Sequence, residues 1–173
     1  MALVIDATPA GLASNSYATL AEADQYHVER LHSEVWDDSD DATKNAALVM
    51  ATRLMDSMLL WAEYPTTVEQ ALQWPRSGML SANQQYEIDP FEIPIELKRA
   101  TAEFARQLIT SDTSANSDVE TQGIASLSAG GVSLSFREDV KAKVVPDAVT
   151  FILPSWWFTM RGSKTGIRNL MRA

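Results

Sequence analysis

The sequence predicts a mainly α protein, a small helical bundle with a β-hairpin and an extended C-terminal arm. Three observations carry that expectation. Apolar residues recur at spacings of three and four over two long stretches, about 41–63 and 93–110. Apolar and small polar residues alternate on either side of Gly130-Gly131, a hairpin signature. The last thirteen residues hold Arg161, Lys164, Arg168 and Arg172, no acid, and too few apolar residues to build structure of their own. The chain divides accordingly into an acidic helical body (1–110), a polar linker (111–122), a β-hairpin plus short C-terminal helix (123–160) and a basic tail (161–173).

Leu3-Val4-Ile5 reads as a short strand closed by Asp6 and the Pro9-Ala10-Gly11 turn. Thr19 and Glu22 form a capping box, each able to satisfy an orphaned amide, at the start of a helix to about His32. Leu20, Ala23, His27 and Leu31 would share one face of it. The acidic run Asp37-Asp38-Ser39-Asp40-Asp41 suggests a cation loop, but counting from Asp37 the sixth and twelfth positions are Ala42 and Leu48, where such a loop needs Gly and Glu. The run is better explained as an N-cap with acids in the first helical turn, where the dipole favours them.

The helix expected at 41–63 carries Ala47, Met50, Ala51, Leu54, Met55, Met58, Trp61 and Ala62 as one broad stripe, which makes it the central core helix. Its methionines fit an adaptable groove less well than a packed core beside Leu and Trp. Tyr64-Pro65 stops it, and the next thirty residues, with Pro75, Gly78 and Pro90, read as loop with one helical turn near Val68–Leu72. In that loop Trp74 and Arg76 flank Pro75 as anchors, the tryptophan on the core and the arginine on a carboxylate. Pro94 is placed at the first position of a third helix whose stripe is Ile93, Leu97, Ala100, Phe104 and Leu108. Past the polar linker, 124–129 and 132–136 form the hairpin, with a Ser-rich edge suited to pairing with another chain. Pro146-Asp147 opens a last helical segment through Leu153, ended by Pro154 and followed by Trp156-Trp157-Phe158.

Charge sharpens this division. The whole chain has 14 Lys+Arg and 23 Asp+Glu, net -9, yet residues 1–120 are net -13 and residues 121–173 net +4. A negative body argues against a dedicated binder of double-stranded DNA. The absence of cysteine excludes disulfides, thiolate metal sites and cysteine nucleophiles. The N-terminus lacks a basic, then apolar, signal segment. The longest unbroken apolar stretch, Ala46–Ala51, is far short of the roughly 20 residues that cross a bilayer, so a soluble protein without a membrane partner is expected.

No catalytic constellation can be assembled from these residues. His27 and His32 would lie about 140° apart on a helix and do not converge on a metal. No Gly-rich phosphate loop, G-x-S-x-G elbow or H-E-x-x-H is present. The expectation is a protein that is not an enzyme, with no catalytic residues, no metal ligands and no cofactor. What exceeds an ordinary helical domain is the C-terminal end: Trp156, Trp157 and Phe158, then Arg161, Lys164, Arg168 and Arg172. Aromatic and arginine side chains anchor interfaces, so these seven are the candidate partner-binding residues.

Several blocks then carry a resemblance: Met1-Ala2-Leu3-Val4-Ile5, the segment Asn15-Ser16-Tyr17 to Glu22-Ala23-Asp24, the Ala-rich stretch 42–56, Trp74-Pro75-Arg76-Ser77-Gly78, and Ile93-Pro94. Over about the first 110 residues the order of parts resembles tailed-phage head-tail connector (adaptor, head completion) proteins, including those labelled DnaT-like single-stranded-DNA-binding proteins. The resemblance implies a homo-oligomeric ring of about twelve copies below the portal protein. Such a ring extends the DNA channel and offers a surface for the tail or nozzle protein, at the head-tail interface of a virion assembled in the host cytoplasm. An acidic body lining the channel would let packaged DNA pass without specific binding. The competing expectation is a single-stranded-DNA-binding module, with Trp156, Trp157 and Phe158 as stacking platforms beside the four basic residues. A third is a hydrolase uniting His27 or His32 with a serine and an acid.

Overall fold

The computed structural model describes residues 3–114 and 143–161, and by backbone the strands at 126–129 and 132–135. Among these residues the fold is mainly α with small antiparallel pairs of strands. The capping box forms as the sequence requires. Thr19 Oγ1 accepts from the Glu22 amide at 3.2 Å and Glu22 Oε2 accepts from the Thr19 amide at 2.8 Å, opening α1 (Leu20–Val28). This helix stops four residues before His32. The Arg30 guanidinium turns back onto the Leu31 carbonyl, and His32 takes a left-handed φ of 61°. Leu31, expected on the buried face, is therefore exposed.

A single turn, α2 (Glu34–Asp37), then seats Trp36 in the core, its Nε1 donating to Asp24 at 2.8 Å. Asp40 caps α3 (Asp41–Met58), accepting from the Thr43 amide at 2.7 Å. The acidic run is thus a helix start. The stripe of α3 is buried at Ala47, Ala51 and Met55, but the helix ends at Met58 and not near 63. Leu59–Trp61 leaves it as strand β1.

The turn expected at 68–72 is not helical. Gln70 instead ties the loop locally, accepting from the Thr67 amide at 2.9 Å and donating to the Leu72 and Pro75 carbonyls at 2.7 and 3.0 Å. The loop is pinned at its ends by β2 (Tyr64–Pro65) against β3 (Arg76–Ser77). Gly78 follows at φ 79°, a conformation that side chains other than glycine's resist. Leu3–Ile5 is not a strand: Asn15 takes its backbone groups, donating to the Val4 carbonyl and accepting from the Asp6 amide, both at 2.9 Å.

Pro94 is the N-cap of α4 (Ile95–Thr110) and not its first residue. This helix is the hub, packing on α1, α2, α3 and α5 (Asp147–Thr150). Its run Ala100–Ala105 is buried on nearly every side, because alanines let neighbouring helices approach. The helical segment expected through Leu153 ends at Thr150, and Phe151–Leu153 continue in turns. Val145, Val149, Leu153 and Trp157 join the core formed by residues 17–105. Strand β6 (Phe158–Met160) then pairs antiparallel with β1, Leu59 opposite Met160 and Trp61 opposite Phe158.

The hairpin forms between β4 (Ser126–Ala129) and β5 (Val132–Ser135), with Ala129 opposite Val132. Its Gly-Gly turn, most of the 111–122 linker, and Lys164, Arg168 and Arg172 lie outside the described residues. Among the described residues no helix is long and apolar enough to cross a membrane.

Candidate functional site

Trp74 and Arg76 anchor the loop, and they do so together. Trp74 is buried, stands 5.1 Å from Trp157 and 5.8 Å from Trp61 between ring centroids, and is joined to Pro75 by a cis peptide bond. Arg76, also buried, was expected on a carboxylate. It donates instead to three backbone carbonyls: Ala62 at 2.6 Å, Gln73 at 2.8 Å, and Glu63. One guanidinium thus satisfies the two carbonyls between β1 and β2 and a third in the loop that leads to β3.

Beside it Asp56 accepts from the Tyr17 hydroxyl, from Trp61 Nε1 at 3.1 Å and from the Gln73 amide at 3.1 Å. Burial raises the Asp56 carboxyl above its ordinary value, and these donors oppose the rise. Burial, then the Asp56 charge, pushes the Tyr17 hydroxyl far up, so it stays a neutral donor. The Asn15-Ser16-Tyr17 and Trp74-Pro75-Arg76 blocks are therefore two sides of one structural knot.

The C-terminal candidates separate. Trp157 is 0% exposed, with its Nε1 donating to the Leu80 carbonyl at 2.8 Å, so it is a core anchor. Trp156, its neighbour, is 41% exposed. Phe158 is half-buried against Trp61 in the β1–β6 pair. Arg161 is exposed at the end of β6, its amide donating to the Met58 carbonyl at 2.8 Å. Phe151, which periodicity placed inside a helical segment, is 83% exposed. The accessible aromatics nearest the basic tail in sequence are thus Phe151 and Trp156.

A buried charge escaped sequence reasoning altogether. Glu103, central in α4, accepts from Arg30 Nε and Nη2, from Arg106 at 2.8 Å, from Gln107 at 3.1 Å and from Tyr26 at 3.2 Å. Burial alone would raise this carboxyl; the hydrogen bonds from Arg106, Arg30 and Gln107 outweigh it and hold it below the ordinary carboxylate range. The only sequence signal was an acid with Arg and Gln three and four positions on. Next to it His27 is buried, Nε2 donating to the Ala102 carbonyl at 3.2 Å and Nδ1 without a partner.

Among the described residues no three His, Asp or Glu side chains are grouped to hold a metal. His27 and His32 do not converge: one is buried and the other exposed. The described surface carries an open cleft of 440 Å³ between the 81–89 loop and the start of α4.

Comparison with curated proteins and with solved structures returned no match. A family model described as "Putative DnaT-like ssDNA binding protein" matches residues 1–173, the whole of the chain. On that match the chain belongs to this DnaT-like family.

Proposed function

We propose that the protein binds single-stranded DNA through its C-terminal end. The observation that carries this reading is membership of a family described by ssDNA binding, over the full 173 residues. The chemistry of that end supports it. Arg161, Lys164, Arg168 and Arg172 offer four cations with no intervening acid, suited to phosphates. Trp156 and Phe151 offer exposed rings on which bases can stack, whereas Trp157 is committed to the core. The body, net -13 over residues 1–120, repels the rest of the strand and confines contact to this end. Fluorescence anisotropy with a labelled oligothymidine and a duplex of equal length tests the reading. Binding to the single strand in preference to the duplex at low salt is expected; no binding of the single strand at low salt overturns it.

A second reading is supported by the acidic body and by the resemblance of residues 1–110 to head-tail connectors. In it the protein is a structural virion component at the head-tail interface, a ring of about twelve copies. It contacts the portal protein and the tail or nozzle protein, and DNA passes without specific binding. Neither reading makes the chain an enzyme. Electron microscopy with and without a portal distinguishes this second role: a ring supports it, and a monomer in both samples contradicts it. Under this reading, removal of residues 161–173 leaves the body folded and abolishes docking to the portal.

A further inference from the structure

The cleft is lined by four carboxylates, Glu87, Asp89, Glu92 and Glu96, over an apolar surface that includes Tyr86 and Ile95, with the buried Trp157 beneath it. Among the described residues no basic side chain lines it. Its acids are not grouped as metal ligands, so they are spread along the cleft and suit an extended polycation better than a single ion. Tyr86 and Ile95 are exposed, giving such a chain apolar surface to lie on as well as charge to meet.

The acid-free stretch richest in bases is the last thirteen residues, and its attachment point is close. Trp157 lines the cleft, and β6 carries the backbone from it to Arg161. Three strand residues span about 10 Å. The twelve residues after Arg161 extend to at most about 40 Å, ample to fold back over a cleft that size. Joined in one chain, segment and cleft meet at the high effective concentration of a short tether, which favours the chain's own segment over that of another copy.

We propose that residues 162–173 of the same chain dock in this cleft, with Lys164, Arg168 and Arg172 against Glu87, Asp89, Glu92 and Glu96. This contact goes beyond the DNA-binding reading and does not depend on it. It neutralises an acidic recess of the described surface, and it holds the basic segment where a stronger polyanion must compete for it.

Lys164 is the only lysine after residue 160, so a zero-length carbodiimide cross-link reports its position. The test uses the full chain, mixed half and half with a heavy-isotope copy, and mass spectrometry of the cross-linked peptides. Expected are Lys164 amides to Glu87, Asp89, Glu92 or Glu96 in which both peptides carry the same isotope, lost at high salt. They should also vanish in an Arg168→Glu, Arg172→Glu variant, which leaves the described body untouched. A combined Glu87→Gln, Asp89→Asn, Glu92→Gln, Glu96→Gln variant has no carboxylate to couple at these positions and serves as the chemical blank. Mixed-isotope pairs would assign the cleft to a second copy and overturn the proposal. So would coupling of Lys164 to carboxylates elsewhere, no Lys164 coupling, or cross-links that survive the Arg168→Glu, Arg172→Glu variant.

Discussion

Arg30 and Glu103, 73 residues apart in the chain, meet side on: Nε to Oε2 at 2.6 Å and Nη2 to Oε1 at 3.0 Å. The pair pins the end of α1 to the middle of α4, and Arg106 completes the neutralisation from within the helix. Removing the acid leaves two half-buried guanidinium groups without their counter-charge. Glu103→Gln should lower unfolding free energy by about 3 kcal/mol, since breaking one side of a buried pair strands the other charge. Urea denaturation measures it; a loss under about 0.5 kcal/mol, the size of an ordinary surface change, would contradict the role.

Acid should weaken the fold in two steps. Burial holds the His27 imidazole below the ordinary value of 6.5, so the unfolded chain binds the proton first. The stability linked to this group is present above that value and falls as pH drops through it. Glu103 is held below 4.5, so its contribution is present above that value and is lost as pH falls through the lower, folded one. Asp56, raised by burial, acts in the opposite sense, since its protonation relieves a cost of folding. Urea midpoints should fall between about pH 7 and pH 5 and again in stronger acid. His27→Gln should flatten the first step.

The Tyr17–Asp56 hydrogen bond joins the N-terminal segment to α3 and the Trp74 loop. Tyr17→Phe keeps the ring and removes one of three donors to the carboxylate. The expected loss is about 1.5–3 kcal/mol, the worth of a hydrogen bond to a charged group. Thermal unfolding checks it, with an unchanged midpoint as the contrary result.

Neighbouring tryptophans should behave in opposite ways. Trp157→Ala empties a core site and should cost about 3–5 kcal/mol of stability. Trp156→Ala should leave stability nearly unchanged and weaken oligothymidine binding by about 1–3 kcal/mol, the worth of one stacked base. Parallel denaturation and anisotropy measurements read both; a stability loss at Trp156 equal to that at Trp157 would remove the distinction.

The parts of the fold legible in sequence are those set by local rules. The capping box at Thr19 and Glu22, the Asp40 cap and the stripe of α3 each depend on residues within a turn or two of one another. The end of α3 was not legible, because Leu59 and Trp61 continue the helical periodicity and are turned to strand by partners near residue 159. The buried Trp157 and exposed Trp156 are adjacent and alike in sequence; the packing of Trp157 against Trp74 and its hydrogen bond to the Leu80 carbonyl separate them. Glu103 was hidden for a related reason, since its main partner, Arg30, lies on another helix end.

The most direct test of the account is the salt dependence of single-stranded DNA binding by the full chain and by a variant with Arg161, Lys164, Arg168 and Arg172 all replaced by glutamine. Four phosphate contacts on a single strand predict a slope of log K against log salt of about -3 for the natural sequence and near zero, with weak binding, for the variant. Equal slopes for the two proteins, or no binding by either at low salt, would contradict it.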